Sequence, residues 1–114
     1  MSSHIRIDLS LPLLHQGKVR DIYDIDSQYM LIVATDRLSA FDVIFEQPIA
    51  SKGKILTEIA NFWFDKTKHI VQNHLTEIKL EEVLTAKEAG TLSGRAIVVK
   101  KLKPLPVEAV VRGY

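Results

Sequence analysis

The 114-residue sequence contains no cysteine. A chain without thiols cannot form disulfide bonds, a thiolate nucleophile or a cysteine-based metal site. The sequence also lacks a strong excess of charge of either sign, because 15 Lys and Arg residues are balanced by 14 Asp and Glu residues. We therefore expect no long-range field that attracts nucleic acid or an anionic membrane, and any anion site must be local.

Long apolar runs are absent as well. The longest uninterrupted aliphatic run, residues 30–34, is far too short to span a bilayer, and residues 1–10 lack the apolar core of a secretory signal. These features predict a soluble, cytoplasmic protein without a membrane partner. The hydrophobic fraction of 46% and the charged fraction of 25% are ordinary for a globular chain, and the length suits one compact domain.

An alternating pattern predicts a strand over residues 17–25. Its apolar face would carry Val19, Tyr23 and Ile25, and its polar face Lys18, Arg20, Ile22 and Asp24. Asp21 is the polar exception on the apolar face. The polar stretch DIDSQ then supplies turn residues, and the apolar run YMLIVAT is typical of a strand buried on both faces. Together these segments predict an antiparallel hairpin.

Helical spacing of apolar residues predicts the main helix over residues 54–69, with Phe62, Trp63 and Phe64 in the core. A weaker helical segment, LEEVLTAKEAG, would end at Gly90. Residues 36–53 are interpreted as a loop with one short strand near 41–45. The segments RAIVVKKL and VEAVVRGY are interpreted as strands joined by KPLP. This order of elements predicts an α+β domain with a mainly antiparallel sheet and one packed helix.

The segment GKVR places two cations next to a glycine. On a strand, Lys18 and Arg20 would leave the same face about 6.6 Å apart, which suits two phosphates of a diphosphate or triphosphate. Gly17 would let the backbone approach those phosphates closely. The alternative is an ordinary solvated strand face, because the sequence has neither the P-loop spacing nor a dinucleotide-binding glycine pattern.

A second polar cluster lies in TDRLSAFDV, where Asp36, Arg37, Ser39 and Asp42 follow a predicted strand. Binding groups often concentrate in such loops, but Asp36 and Ser39 could equally form side-chain turns with the backbone.

The proline-containing joint near residue 104 offers a further candidate. Unpaired backbone groups there could recognise the edge of an adenine ring, or the prolines could simply end a strand. Arg112 could bind a phosphate or carboxylate, or pair with Glu108. The four histidines show no metal-binding pattern, so surface or capping roles are expected for them.

Four ordered segments, GKVRDIYD, ATDRLSAFDV, SKGKILTEIANFWF and KLKPLPVEAVVRGY, resemble the N-terminal half of the SAICAR synthetase family of purine biosynthesis. The resemblance covers residues 17–114. It implies a kinase-like, two-lobed ligase that uses ATP and Mg²⁺ to join L-aspartate to carboxyaminoimidazole ribonucleotide, releasing ADP and phosphate. It also implies that phosphoryl transfer first activates the carboxylate of the ribonucleotide.

The resemblance also implies roles for particular residues. Residues matching the ATP-binding elements of the family are Gly17, Lys18, Arg20, Lys101, Leu102 and Glu108. Residues matching the elements that contact the nucleotide substrate are Ser39, Asp42 and Arg112.

Chains of the family are much longer than this one. We therefore expect residues 1–114 to be an N-terminal ATP-binding lobe that lacks its C-terminal lobe and the acidic residues for Mg²⁺, and to be inactive alone. The absent lobe would be its structural partner. The alternative is a non-catalytic nucleotide-binding or interaction module with the same lobe fold; a generic nucleotide kinase fits the C-terminal motif less well.

Overall fold

A computed structural model describes residues 9–41 and 43–113 of the chain. In chain order, its elements are β1 (Leu13–Gln16), β2 (Arg20–Asp24), β3 (Tyr29–Ala34), β4 (Ser39–Ala40), β5 (Val43–Ile44), α1 (Lys52–Thr67), a 3₁₀ turn (Leu80–Glu82), α2 (Ala86–Leu92) and β6 (Ala96–Lys100). Strands β1, β2, β3 and β6 form one antiparallel sheet in that order, while β4 and β5 pair separately. This arrangement confirms the predicted α+β class and the mainly antiparallel sheet.

The hairpin of β2 and β3 forms as predicted, with Arg20 opposite Ala34 and Asp24 opposite Met30. Asp26 shapes its turn, because its Oδ1 accepts hydrogen bonds from the N–H groups of Gln28 and Tyr29 at 2.7 and 2.9 Å. Strand β3 is fully buried on one face and half-buried on the other. The prediction of burial on both faces is therefore wrong, because α1 covers the second face only partly and leaves a cavity there.

The hydrophobic core lies on one face of the sheet. Its buried members are Tyr23, Leu31, Val33, Leu84, Ala89, Leu92, Ala96 and Val98. Helix α2 contributes to this core and begins with a capping box, in which the hydroxyl of Thr85 accepts the N–H of Glu88 at 3.2 Å. The carboxylate of Glu88 in turn accepts the N–H of Thr85 at 3.0 Å and the N–H of Ser10 at 2.7 Å. Glu88 therefore joins the N-terminal segment to α2.

Helix α1 begins and ends two residues before its predicted bounds of 54 and 69, but it turns an unexpected side toward the sheet. The buried residues of α1 are Gly53 and Thr57, whereas Phe62 and Trp63 are 51% and 58% exposed. The prediction that Phe62 and Trp63 belong to the core is wrong. The glycine explains the difference, because it allows the first turn of the helix to approach the backbone of Ala34 closely.

The C-terminal part of the chain departs from the sequence-based boundaries. Gly90 lies inside α2, and Gly94, at φ 82°, provides the left-handed residue that follows the helix. No strand forms within residues 107–113, where every residue is exposed. A strand needs a neighbour with which to pair, and no described strand lies beside this segment.

The predicted strand at 41–45 is instead the pair β4 and β5, which reverse direction at the exposed, left-handed residue Phe41 (φ 51°).

No helix within residues 9–41 and 43–113 is long and apolar enough to cross a membrane.

Replacing Gly53 with Ala should destabilise the fold by about 2 kcal/mol or more, because overpacking alone costs about 1 to 3 kcal/mol. The added Cβ would lie 2.1 Å from the carbonyl oxygen of Ala34, so the helix must move. Urea unfolding followed by circular dichroism measures the change. Gly90→Ala is the matched control: it meets no atom within 4 Å and should be neutral or stabilising by up to about 1 kcal/mol. Equal midpoints for the two variants would contradict the close helix–sheet contact.

Candidate functional site

The segment Gly17–Arg20 forms a tight turn between β1 and β2. The N–H of Gly17 donates to the carbonyl of Arg20 at 2.8 Å, and a Cβ on Gly17 would lie 3.0 Å from that oxygen. The carbonyl of Val19 accepts the N–H of Thr35 at 3.0 Å and the hydroxyl of Thr35 at 2.6 Å. Lys18 therefore lies in a turn and Arg20 at the start of β2, so the predicted placement of both on one strand face is wrong. The turn still presents both exposed cations close together in the chain.

A cavity of about 420 Å³ lies between α1 and the second face of the sheet. Apolar groups on both sides line it: Ile32, Ala34 and Ile97 from the sheet, with Leu56, Ala60 and Phe64 from the helix. The lining also includes three cations, Arg20, Lys52 and Arg95, and no acidic residue. Apolar walls with several positive charges suit a ligand that combines an apolar ring with phosphate groups.

A buried ion pair between Asp21 and Arg37 lies next to the Gly17–Arg20 turn. Asp21, the polar exception on the apolar face of β2, is 1% exposed, and its Oδ1 accepts a hydrogen bond from Nη2 of Arg37 at 2.6 Å. The Nε of Arg37 donates to the hydroxyl of Thr35 at 2.9 Å. Arg37 is therefore a buried structural residue, and the buried Asp21 is its counter-charge.

Asp36 performs a second buried role. Its Oδ1 accepts the N–H of Gly53 at 2.8 Å, and its Oδ2 accepts the N–H of Ser51 at 3.3 Å. Arg95 donates to both carboxylate oxygens, at 2.9 and 3.2 Å. Asp36 therefore holds the N-terminus of α1 from another element. Thr35 forms a local side-chain turn, in which its hydroxyl accepts the N–H of Arg37 at 3.3 Å.

The substrate-binding candidates lie on two separated segments. Ser39 is half-buried in β4, beside the exposed Phe41, and Asp42 lies outside the described residues. Arg112 is exposed in the C-terminal segment and forms no ion pair with Glu108 among the described residues. The roles of these residues in substrate binding remain predictions.

The candidates for adenine binding begin where β6 ends. The N–H of Lys101 donates to the carbonyl of Gln28 at 2.8 Å, and its Nζ lies 2.5 Å from Oδ1 of Asp24. Lys101 therefore fastens the start of the C-terminal segment to the β2–β3 hairpin. Leu102 and Glu108 are exposed beyond it.

Among the polar and charged cavity residues, the sequence analysis proposed only Arg20 as a binding residue and missed Thr35, Lys52, Thr57, Asn61, His74 and Arg95. For His74 it expected a surface or capping role, whereas the ring is half-buried and lines the cavity. No local sequence pattern marked these residues, because tertiary packing brings them to the cavity. The Oδ1 of Asn61 is buried and is without a hydrogen-bond partner among the described residues. Burial lowers the pKa of His74 below its ordinary value, and the positive charge of Arg20 lowers it further.

A Mg²⁺ site is a separate question. Within residues 9–41 and 43–113, no group of three or more His, Asp or Glu side chains could hold a metal ion. Mg²⁺ that accompanies a nucleotide commonly needs only one or two carboxylates beside phosphates and waters, so the absence of a larger cluster assigns it no ligand here.

Comparison with known proteins places this geometry in context. The sequence matches the family model of SAICAR synthetase over residues 13–114. It is 63% identical over 105 residues to the phosphoribosylaminoimidazole-succinocarboxamide synthase of Nitrosomonas europaea, an alignment that covers 92% of this chain and 36% of the relative.

Solved structures of SAICAR synthases are also similar to this chain. A SAICAR synthase is similar with a TM-score of 0.81 at 42% identity, over 90% of this chain and 38% of the other. The SAICAR synthase of Saccharomyces cerevisiae, complexed with SAICAR, has a TM-score of 0.78 at 42% identity, over 85% and 36%. A type-2 SAICAR synthetase in complex with ADP shares the fold, with a TM-score of 0.64 at 19% identity over 83% and 35%. The chain spans about a third of the length of these proteins.

Replacing Asp21 with Asn should destabilise the fold by about 3 to 5 kcal/mol, because the guanidinium of Arg37 would lose its buried counter-charge. Thermal unfolding measures the loss. Asp65→Asn is the matched control, because Asp65 pairs with Lys68 at 2.9 Å on the surface, where the two side chains are 72% and 68% exposed. We expect this control to keep the unfolding midpoint of the original chain. If Asp21→Asn also keeps it, the buried pair does not support the turn.

Proposed function

Because the chain belongs to the SAICAR synthetase family over residues 13–114, we propose that it provides the ATP-binding lobe of a purine-biosynthesis ligase. The enzyme joins L-aspartate to carboxyaminoimidazole ribonucleotide. The observation that carries this proposal is the fixed Gly17–Arg20 turn beside an apolar cavity that is lined by cations and contains no acidic group. The activity belongs to the whole enzyme, of which this chain matches about a third.

ATP is proposed to bind with its phosphates at the turn. Lys18 contributes a point charge and Arg20 a fork of donors, while the small Gly17 leaves the backbone accessible. The adenine ring is proposed to lie toward Lys101, Leu102 and Glu108, where the chain leaves the sheet. Two neighbours support this nucleotide chemistry by analogy, since one is a complex with ADP and the other a complex with SAICAR.

The proposed reaction has two steps. The carboxylate of the ribonucleotide attacks the γ-phosphorus of ATP, an acyl phosphate forms, and ADP leaves. The aspartate amine then attacks the acyl carbon, the C–N bond forms, and inorganic phosphate leaves as the amine loses a proton. The cations of this chain would stabilise the negative charge that develops on the transferred phosphoryl group.

The substrate ribonucleotide is proposed to contact Ser39, Asp42 and Arg112. A hydroxyl and a guanidinium are suitable donors for a phosphate or carboxylate. The described residues lack a metal cluster, so the Mg²⁺ that such chemistry commonly requires is assigned no ligand and no step in this part of the chain.

A non-catalytic interaction module is the second candidate, and the apolar side of α1 favours it. Ile55, Ile59, Phe62 and Trp63 are each at least half exposed. Such a surface commonly contacts another protein part. In the ligase, we propose that this surface meets the remaining two-thirds of the enzyme.

Calorimetric titration of the 114-residue chain with Mg-ATP separates the two candidates. Measurable binding, even if weak, supports a preformed nucleotide lobe, since the turn is fixed without the rest of the enzyme. The absence of binding would favour the interaction module.

A chimera tests the ligase directly. Residues 13–113 of this chain should replace the matching segment of the Nitrosomonas europaea synthase, with which the chain is 63% identical. We expect the chimera to convert ATP, L-aspartate and carboxyaminoimidazole ribonucleotide into the succinocarboxamide. A chimera that folds, as judged by circular dichroism, but forms no product would overturn the proposal.

Within that chimera, Lys18→Ala should raise the KM for ATP roughly 10- to 150-fold, because one charge-assisted phosphate contact contributes about 1.5 to 3 kcal/mol. Steady-state kinetics at varied ATP measures the effect. Lys87→Ala is the control, because Lys87 is exposed on α2, across the sheet from the cavity. An unchanged KM in Lys18→Ala would remove Lys18 from the site.

A further inference from the structure

His74 reaches the cavity by a route that the sequence did not suggest. It follows α1 in a segment that returns along β6, where its carbonyl accepts the N–H of Lys100 at 2.9 Å. The next residue, Leu75, bridges to Val99. The His74 ring lies 5.3 Å from the ring of Phe64, tilted by 50°. The imidazole is thus fixed on its backbone side and against one aromatic face, while it lines the cavity.

The ring nitrogens of His74 make no hydrogen bond to any other side chain or backbone group in the described ranges. The charged groups that share the cavity are Arg20 from β2, Lys52 from α1 and Arg95 just before β6. Strand β3 adds Ile32 and Ala34, and Thr35 follows this strand; none of these three side chains carries a charge. Arg95 is neutralised by the Asp36 carboxylate, so Arg20 and Lys52 supply the unbalanced positive charge.

This environment opposes protonation of the ring in the ligand-free chain. Burial and then the charge of Arg20 both lower the pKa of His74. A phosphate group placed beside Arg20 would offset that repulsion and add an attraction of its own. The same anion would also offer an acceptor to the imidazole N–H, which has no hydrogen-bond partner among residues 9–41 and 43–113.

We propose that His74 is a further binding residue of this cavity, whose imidazole takes up a proton and donates a hydrogen bond when a phosphate-bearing ligand occupies the space beside Arg20. The inference rests on the proposed nucleotide site but concerns a residue outside the segments that suggested it. Because the protonated ring binds the anion better, ligand binding and proton uptake reinforce each other. Affinity should therefore rise as the pH falls through the pKa that His74 has in the complex, and level off at higher pH.

Proton NMR of the 114-residue chain, with pyrophosphate as the probe, tests the proposal. Titration of the His74 ring signal in the absence and presence of saturating pyrophosphate should show a rise of about one pKa unit or more, the usual effect of a nearby opposite charge. A rise of one unit corresponds to about tenfold tighter binding to the protonated protein. His69, exposed just after α1, is the internal control and should keep its titration curve.

Two variants remove the alternatives. Arg20→Gln should raise the titration midpoint of His74 in the ligand-free chain, because the positive charge of Arg20, which repels the protonated ring, is gone. His74→Gln should weaken pyrophosphate binding at pH 5.5 more than at pH 8; the ratio between the two proteins at each pH cancels the titration of pyrophosphate itself. An unmoved His74 midpoint with bound pyrophosphate overturns the proposal, as does the absence of pyrophosphate binding.

These outcomes are independent of the ligase test. An active chimera whose Lys18→Ala variant loses ATP affinity would uphold the proposed function even if His74 does not respond. A responsive His74 in a chain whose chimera is inactive would leave an anion-binding cavity without the ligase activity.

Discussion

The carboxylate of Asp36 holds together the elements that form the cavity. Asp36 follows β3. Its carboxylate accepts hydrogen bonds from two backbone N–H groups at the start of α1 and from both terminal nitrogens of Arg95, just before β6. Helix α1 has no side-chain cap of its own, and it follows a serine in the left-handed conformation. Its first turn is therefore stabilised by a charge from outside the helix, and a buried carboxylate is tolerated because its oxygens are fully engaged.

Three consecutive residues after β3 serve three different parts of the molecule. Thr35 anchors the carbonyl of Val19 in the β1–β2 turn, Asp36 anchors α1, and Arg37 pairs with Asp21 beneath the turn. The residues that follow β3 thus position both sides of the cavity. The small Gly53 completes the arrangement, because any side chain there would push α1 away from Ala34.

Much of the fold was predictable from local patterns. Alternation and turn residues located the β2–β3 hairpin, and apolar spacing located α1 to within two residues. The side that α1 turns inward was not predictable, because a hydrophobic stripe shows where a helix is apolar and not which surface it will meet. The contact was decided by Gly53, whose importance depends on a carbonyl distant in the sequence. The expected strand over 107–114 does not form across its described residues, 107–113, for a related reason, since a strand exists only with a partner.

The candidate site was predicted in part. The cations at Lys18 and Arg20 were singled out from the segment GKVR, but their arrangement was not predicted. The hydrogen bond from the N–H of Gly17 to the carbonyl of Arg20 forms a turn where a strand was expected. Asp21 and Arg37 lie sixteen residues apart and gave no sign of being partners. His74 and Lys52 join the cavity through the packing of α1 and the segment after it, and such tertiary contacts leave no local pattern in one sequence.

The carbonyl of Val19 has a consequence for ligand binding. With two hydrogen bonds from Thr35 on that oxygen, the backbone of the turn has already lost most of its conformational freedom before a phosphate arrives. The ligand then needs to position the exposed side chains of Lys18 and Arg20 and little of the main chain. Association should accordingly show a small entropic penalty for the main chain, and selectivity among phosphates would depend on the reach of two side chains and hardly on loop closure.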